Sequence, residues 1–256
     1  MTKSRKLFAD GRYLQPDWPA PASVKAFVTT RNGGVSDGPW RSLNPGMHSG
    51  DDPGRVLENR ALLMHDWAID QIQWLRQVHG ADVVPAGSGC AEARADACWS
   101  DVTRRACAVL TADCLPVLFC NRCGTRIAAA HAGWRGLAAG ILENTAMVFD
   151  DPADTLIAWL GPAISQSHFE VGPEVREVFL ARDPEAGYAF KAGREDRWFA
   201  DIYTLARQRL ATLGIHEVYG GDYCTVRQES LFFSYRRDGA RSGRMASVIW
   251  LDGTGG

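Results

Sequence analysis

Leu115-Pro116-Val117-Leu118-Phe119-Cys120-Asn121 and Thr125-Arg126-Ile127-Ala128-Ala129-Ala130-His131-Ala132 are two apolar runs of strand length. The segment between them, Asn121-Arg122-Cys123-Gly124, has turn chemistry, so the two runs are expected to fold back on each other as a β-hairpin. Antiparallel pairing makes neighbours of the residues at the open end of a hairpin, however far apart they lie in sequence. Here it carries Cys114, just before the first run, to the side of His131 near the end of the second.

Working outward, Ile72 to His79, Ala81 to Pro85 and Ala106 to Thr111 are also β-branched or apolar runs, so the centre of the chain reads as sheet. Asp52-Pro53 offers a cap and an initial proline, and Val56, Arg60, Leu63, Met64 and Trp67 follow at helical spacing. Leu137, Ile141, Leu142, Val148 and Phe149 mark one face of a second helix, whose amino end points back toward His131. A third helix is expected from Pro173, and a fourth from Asp201 with Ile202, Leu205, Ala206, Leu210 and Leu213 inward. Strands near Glu217, Phe232 and Ser247 complete the reading, and residues 1–22 read as an irregular amino-terminal segment.

A chain of 256 residues, 46% of them apolar, suits a single core, and no repeat, low-complexity tract or linker divides it. One domain over residues 1–256 is therefore expected. Lys plus Arg 28 against Asp plus Glu 30 leaves a formal charge of −2, which argues against a nucleic-acid partner because phosphate-backbone binding draws on a basic excess. The stretch Met1 to Ala22 has no apolar core of signal-peptide length, and Ala106 to Cys120 is interrupted by Asp113 and Pro116, so neither export nor membrane insertion is expected. The reading is a cytoplasmic protein. Its seven cysteines, an odd count, then suggest metal binding or burial rather than a disulfide framework.

Gln77-Val78-His79-Gly80, Thr111-Ala112-Asp113-Cys114 and His131-Ala132-Gly133-Trp134-Arg135-Gly136 together offer two imidazoles and one thiol. Two neutral nitrogens and a thiolate fill three of the four tetrahedral positions of a divalent ion, and an open fourth position distinguishes catalytic zinc from structural zinc. The rival reading makes Cys114 a nucleophile activated by His131 or His79. His48, His65, His168 and His216 read as packed or surface residues, and Cys90, Cys98, Cys107 and Cys224 as buried or incidental. Cys120 and Cys123 have CxxC spacing, but a zinc ribbon needs a second pair.

These motifs, with Thr30-Arg31-Asn32-Gly33-Gly34-Val35-Ser36, Ser42-Leu43-Asn44, Gly50-Asp51-Asp52-Pro53, Glu58-Asn59-Arg60, Trp159-Leu160-Gly161-Pro162-Ala163-Ile164, Phe169-Glu170-Val171-Gly172, Phe233-Ser234-Tyr235-Arg236-Arg237-Asp238 and Gly243-Arg244-Met245-Ala246, run in order along nearly the whole chain. In this respect the chain resembles the YfiH-like family, also called the laccase-domain or multicopper polyphenol oxidase family, whose members include purine nucleoside phosphorylases. The resemblance implies a CNF/YfiH-like α+β fold, a single domain with mixed β-sheets flanked by helices. It implies zinc held by His79, Cys114 and His131, and a monomer or homodimer. The implied activity is phosphorolysis of adenosine, inosine or S-methyl-5′-thioadenosine, with adenosine deamination beside it.

Alternatives stay open at this point. The family has also been assigned to peptidoglycan precursor editing, which would make the chain a metal-dependent amidase. Copper is compatible with a His₂Cys site, but six histidines in the whole chain cannot ligate both a trinuclear centre and a further copper site. A zinc-stabilised binding module is the non-enzymatic reading. For deamination, metal-activated water would attack the purine C6, and the absence of an HxE signature leaves the proton carrier unnamed.

For the substrate, Arg135 and Gly136 stand at a helix start suited to phosphate, and Arg60, Arg236, Arg237 and Arg244 are further candidate anion contacts, with Arg60 and Arg135 preferred in the family's context. Gly33, Gly34, Ser36 and Asn44 are candidates for a cavity-lining loop. Asp113 is expected either to fix a ligand imidazole or to cap a turn.

Overall fold

A computed structural model describes residues 11–87 and 89–253. Two six-stranded mixed sheets form its centre. In spatial order the first is built from Tyr13–Leu14, Val24–Thr29, Met245–Leu251, Arg105–Thr111, Gln71–Leu75 and Glu92–Ala93. The second is built from Glu217–Gly220, Leu156–Leu160, Leu115–Asn121, Ile127–Ala132, Ala97–Ser100 and Val83–Pro85. A three-stranded antiparallel sheet of Glu170–Val171, Trp198–Ala200 and Phe190–Ala192 lies apart from both. This is the α+β arrangement of mixed sheets flanked by helices that the family resemblance implies.

The hairpin forms with Leu115 opposite Ala132, Pro116 opposite His131 and Cys120 opposite Ile127. Asn121 builds its turn: the side-chain oxygen accepts from Thr125 N at 2.9 Å and Arg126 N at 3.2 Å, an Asx-type closure. Gly124 supplies the left-handed backbone at φ 64°. Successive side chains of a strand point to opposite faces, and both faces of this hairpin are buried. Leu115, Val117, Phe119, Ala128 and Ala130 pack with Leu137, Ile141, Leu205 and Leu210 of the helical layer. Leu118, Cys120, Ile127 and Ala129 instead meet Val28, Cys107, Val109 and Ile249 of the first sheet. The far side of the first sheet, with Phe27, Ala108 and Val248, packs against Leu63 of the helix Pro53–Asp66. Four layers result: helix, sheet, sheet, helices.

Local signals place several elements where expected. Asp52 accepts from Arg55 N at 3.0 Å and caps the helix Pro53–Asp66, on which Val56, Arg60 and Leu63 are buried. Pro173–Leu180 is a helix, and Asp201 caps Ile202–Thr212 through Tyr203 N and Thr204 N. The helix after His131 departs from expectation. It is two six-residue helices, Trp134–Ala139 and Ile141–Ala146, broken at Gly140, whose φ of 99° no continuous α-helix accommodates. Val148 and Phe149 lie beyond it.

Three other expectations change. The strand from residue 71 stops at Leu75, short of His79, because Gln77 leaves the ladder and hydrogen-bonds Leu110 through its side chain instead. Phe232 is buried without belonging to a strand. Within residues 1–22, Tyr13–Leu14 is a strand paired with Val28 and Thr29, while residues 1–10 lie outside the described part.

Candidate metal centre and adjoining cavity

His131 is the last residue but one of the hairpin's second strand, and Cys114 sits in the turn before the first, so their proximity follows from hairpin register. His79 arrives from the other sheet on the irregular segment after Gln71–Leu75. Gln77 holds that segment: its Nε2 donates to Leu110 O at 2.8 Å and its Oε1 accepts from Leu110 N at 2.7 Å. His79 and Asp113 both have positive φ, 60° and 95°, a costly conformation for residues with a Cβ that is retained where a site requires it.

The ligand atoms of His79, Cys114 and His131 all lie within 4.8 Å of one another, with Cys114 Sγ 4.0 Å from His79 Nε2. The two imidazole rings are edge to face, with centroids 4.8 Å apart. Among the described residues this is the one His, Cys, Asp and Glu cluster close enough to hold an ion. Gly133 keeps it open. A Cβ on Gly133 would lie 3.0 Å from Cys114 Sγ, 3.2 Å from His79 Cδ2 and 3.6 Å from His131 Cε1, filling the cradle. Space, geometry and the soft nitrogen and sulfur donors therefore fit a zinc-like ion.

Asp96 ties the two histidines together. Its carboxylate is fully buried; Oδ1 is 2.8 Å from His131 Nδ1 and accepts from His79 N at 2.9 Å, while Oδ2 accepts from Val78 N at 3.1 Å and Gly80 N at 2.7 Å. Burial alone would raise its pKa, but the hydrogen bonds from His131, Gly80 and Val78 hold it below the usual carboxylate value. An ionised carboxylate only accepts, so His131 Nδ1 must carry the proton and Nε2 is left for an ion.

The same logic sets the charges of the ligands without metal. Burial pushes the Cys114 thiol up, yet the His131 charge and hydrogen bonds from both histidines bring it down to about 6. For His131 burial acts downward, and the Cys114 thiolate together with Asp96 raises it to about 9. A thiolate–imidazolium pair results, in which the sulfur is already in its ligating form.

The cluster opens on a cavity of about 550 Å³ whose wall includes Trp134, Arg135, Phe169, Tyr235, Arg236 and Arg244. Arg135 is exposed, with its guanidinium carbon 4.4 Å from the Trp134 ring centroid. Other expected substrate residues sit elsewhere. Arg60 does not line the cavity: its Nε donates to Pro45 O at 2.8 Å and its NH2 nitrogen pairs with Glu92 at 2.8 Å. Asn44 is buried, donating to Ser49 and Asp51 and accepting from Gly46 N and Arg244 N, so it braces the wall from behind. Ser36 is buried and accepts from Asn59 Nδ2 at 2.8 Å. Arg237 is occupied by Asp238 and by the carbonyls of Thr225, Val226 and Phe232.

Asp113 lines the cavity but holds no imidazole; it accepts from Thr225 Oγ1 at 2.5 Å and from Arg236 N at 2.6 Å, tying the carboxy-terminal wall to the hairpin. The carboxylate behind His131 is Asp96, which sequence reasoning missed. The signal was a lone acidic residue among alanines in Ala95-Asp96-Ala97, with partners 17 and 35 positions away. Cys120 is buried and Cys123 exposed, and both are free thiols.

Residues 25–252 match the family described as multi-copper polyphenol oxidoreductase laccase. The chain belongs to this family. Among relatives, it is 53% identical over 242 residues to "Purine nucleoside phosphorylase YfiH" of Escherichia coli strain K12, covering 94% of this chain and 99% of that one. It is 32% identical over 257 residues to "Purine nucleoside phosphorylase YlmD" of Geobacillus stearothermophilus, covering 93% of each. The crystal structure of a Neisseria meningitidis protein superposes with a TM-score of 0.92 at 51% identity, covering 94% of this chain and 100% of that one. In this member of the family the copper-oxidase name meets a site of two histidines and one cysteine, and His48, His65, His168 and His216 are absent from that cluster.

Proposed function

We propose that this chain is a zinc-dependent purine nucleoside phosphorylase acting on adenosine, inosine and S-methyl-5′-thioadenosine, with adenosine deamination as a second activity of the same cavity. The observation that carries the reading is the opening of the His79–Cys114–His131 cradle onto a cavity walled by both aromatic rings and arginines. The relatives' names, purine nucleoside phosphorylase, agree with it. Zinc bound by His79, Cys114 and His131 would supply Lewis-acid chemistry.

The chain's own side chains do the rest. Trp134, Phe169 and Tyr235 offer ring faces and edges to a purine and its sugar. Arg135 is the guanidinium best placed for phosphate, since it lines the cavity with no side-chain hydrogen bond or ion pair among the described residues, whereas Arg236 and Arg244 donate to the backbone carbonyls of Glu170 and Ser242. Arg244 adds positive charge nearer the cysteine; it is largely buried and donates to Ser242 O at 2.6 Å. Holding phosphate behind the sugar while a cationic sugar-like transition state forms is mainly a matter of position and field.

We take residues 1–256 to work as one cytoplasmic domain, as monomer or homodimer. Pairing of Val24–Thr29 with Met245–Leu251 brings early and late segments of the chain into one sheet and supports the single domain. Among the described residues no helix is long and apolar enough to cross a membrane.

The test is incubation with inosine and phosphate, followed by assay for ribose 1-phosphate and hypoxanthine. Phosphate-dependent formation of both is expected. Release of an amino acid from an aminoacylated muropeptide precursor, with nucleosides untouched, would replace this reading by the amidase one.

A further inference from the structure

Behind one residue of the cavity wall, His48, stands a second ordered set of ionisable side chains, separate from the metal ligands. His48 lines the cavity with its side chain 64% exposed, and its Nε2 is 2.9 Å from Glu92 Oε2. The other carboxylate oxygen, Glu92 Oε1, is 2.8 Å from the Arg60 guanidinium. Arg60 is in turn fixed by Pro45 O and by the Trp74 ring, whose centroid lies 4.3 Å from its guanidinium carbon. A buried arginine holds the carboxylate, the carboxylate holds the imidazole, and the imidazole reaches the cavity. His48 Nδ1 has no hydrogen-bond partner among the described residues. A proton-transfer group oriented by a second group, itself held by a third, is the usual architecture of an acid/base catalyst.

Phosphorolysis needs such a group. When the bond between C1′ and N9 breaks, its electron pair stays on the purine, which leaves as a poor anion unless a proton arrives. The carboxylate, thiol and remaining imidazoles on the wall are committed elsewhere. Asp113 accepts from Thr225 and Arg236, and His79, Cys114 and His131 form the cradle. Arginines do not give up a proton in proteins, and the Tyr235 hydroxyl on the wall has no orienting partner among the described hydrogen bonds.

Resting on the phosphorylase reading above, we propose that His48, oriented by Glu92 and Arg60, protonates the departing purine. The balance is simple. A phosphate oxygen forms the new bond to C1′, the C1′–N9 pair passes to the purine ring, His48 in its imidazolium form gives one proton to that ring, and solvent returns the proton to His48. His48 is the proton donor; Glu92 and Arg60 are positioning residues.

The experiment compares inosine with 7-methylinosine, whose base leaves neutral and needs no proton, in the metal-loaded wild type, His48→Gln and Glu92→Gln. His48→Gln is expected to lower kcat on inosine by about 100-fold and on 7-methylinosine by no more than about threefold. Glu92→Gln is expected to show a smaller loss with the same preference between substrates, which a purely structural role would not produce. Metal content and thermal midpoint, measured alongside, are expected to match wild type for His48→Gln because the residue is exposed. Equal losses on both substrates, or no loss on inosine, overturn the proposal while leaving the phosphorylase reading intact. A wild type inactive on both nucleosides overturns the phosphorylase reading, and this inference with it.

Discussion

Asp96 Oδ1 lies 2.8 Å from His131 Nδ1 and accepts the backbone N–H of His79 at 2.9 Å, so one buried oxygen sets the orientation of two ligand histidines from different sheets. An ion held by these histidines depends on a residue it does not touch. Asp96→Asn is expected to weaken metal binding by about 10- to 100-fold, the usual cost of losing the carboxylate behind a ligand histidine. Competition against a chelator of known affinity measures it. Wild-type affinity in this variant would remove Asp96 from the account.

Gly133→Ala tests the cradle itself. The added methyl would stand 3.0 Å from Cys114 Sγ, so the variant is expected to fold, by circular dichroism, and to lose most of its metal. Gly136→Ala is expected to act differently. Its Cβ would meet the backbone oxygen of Gly80 at 2.7 Å, an atom that cannot swing aside as a side chain would, and the thermal midpoint is expected to fall. Full metal content in Gly133→Ala would show that the cradle has room to spare.

The charges in the metal-stripped site predict a pH profile. The Cys114 thiol at about 6 lies below an ordinary thiol, so the thiolate is present above about pH 6 and lost as pH falls through it. His131, raised to about 9, keeps its proton across neutral pH and loses it only above that value. Alkylation of the half-buried Cys114 by iodoacetamide, followed on its own peptide because Cys90 and Cys123 are exposed thiols, is expected to rise with a midpoint near pH 6 in the folded protein. After unfolding the midpoint is expected at about 8.5. A single midpoint near 8.5 in both states would contradict the pairing with His131.

Arg135→Ala is expected to raise the KM for phosphate by about 10-fold or more, the effect of losing one or two charge-assisted hydrogen bonds. The thermal midpoint should not move, since Arg135 is exposed. An unchanged phosphate dependence would assign the anion to Arg244 or Arg236 instead.

What was legible in the sequence was local. The turn at Asn121 to Gly124 and the apolar runs beside it gave the hairpin, and with it the approach of Cys114 to His131. Caps at Asp52 and Asp201 gave two helix starts. What was lost depended on distant partners or on one residue's backbone. Gly140 breaks a helix whose apolar spacing continues through it, and spacing carries no sign of φ. Asp96 is bound by groups brought from elsewhere in the fold, and Arg60, an anion candidate in the family's context, pairs instead with Glu92 and Pro45, both far from it in sequence. Edge strands of two residues, such as Tyr13–Leu14 and Glu92–Ala93, are too short to show a period.

The most direct measurement is metal content per chain in the wild type and in His79→Ala, Cys114→Ala and His131→Ala, determined beside ribose 1-phosphate formation from inosine. The account requires about one zinc per wild-type chain, and loss of metal and product together in each variant while the fold persists. Full metal in any one variant, or undiminished phosphorolysis after the wild type has been stripped, would contradict it.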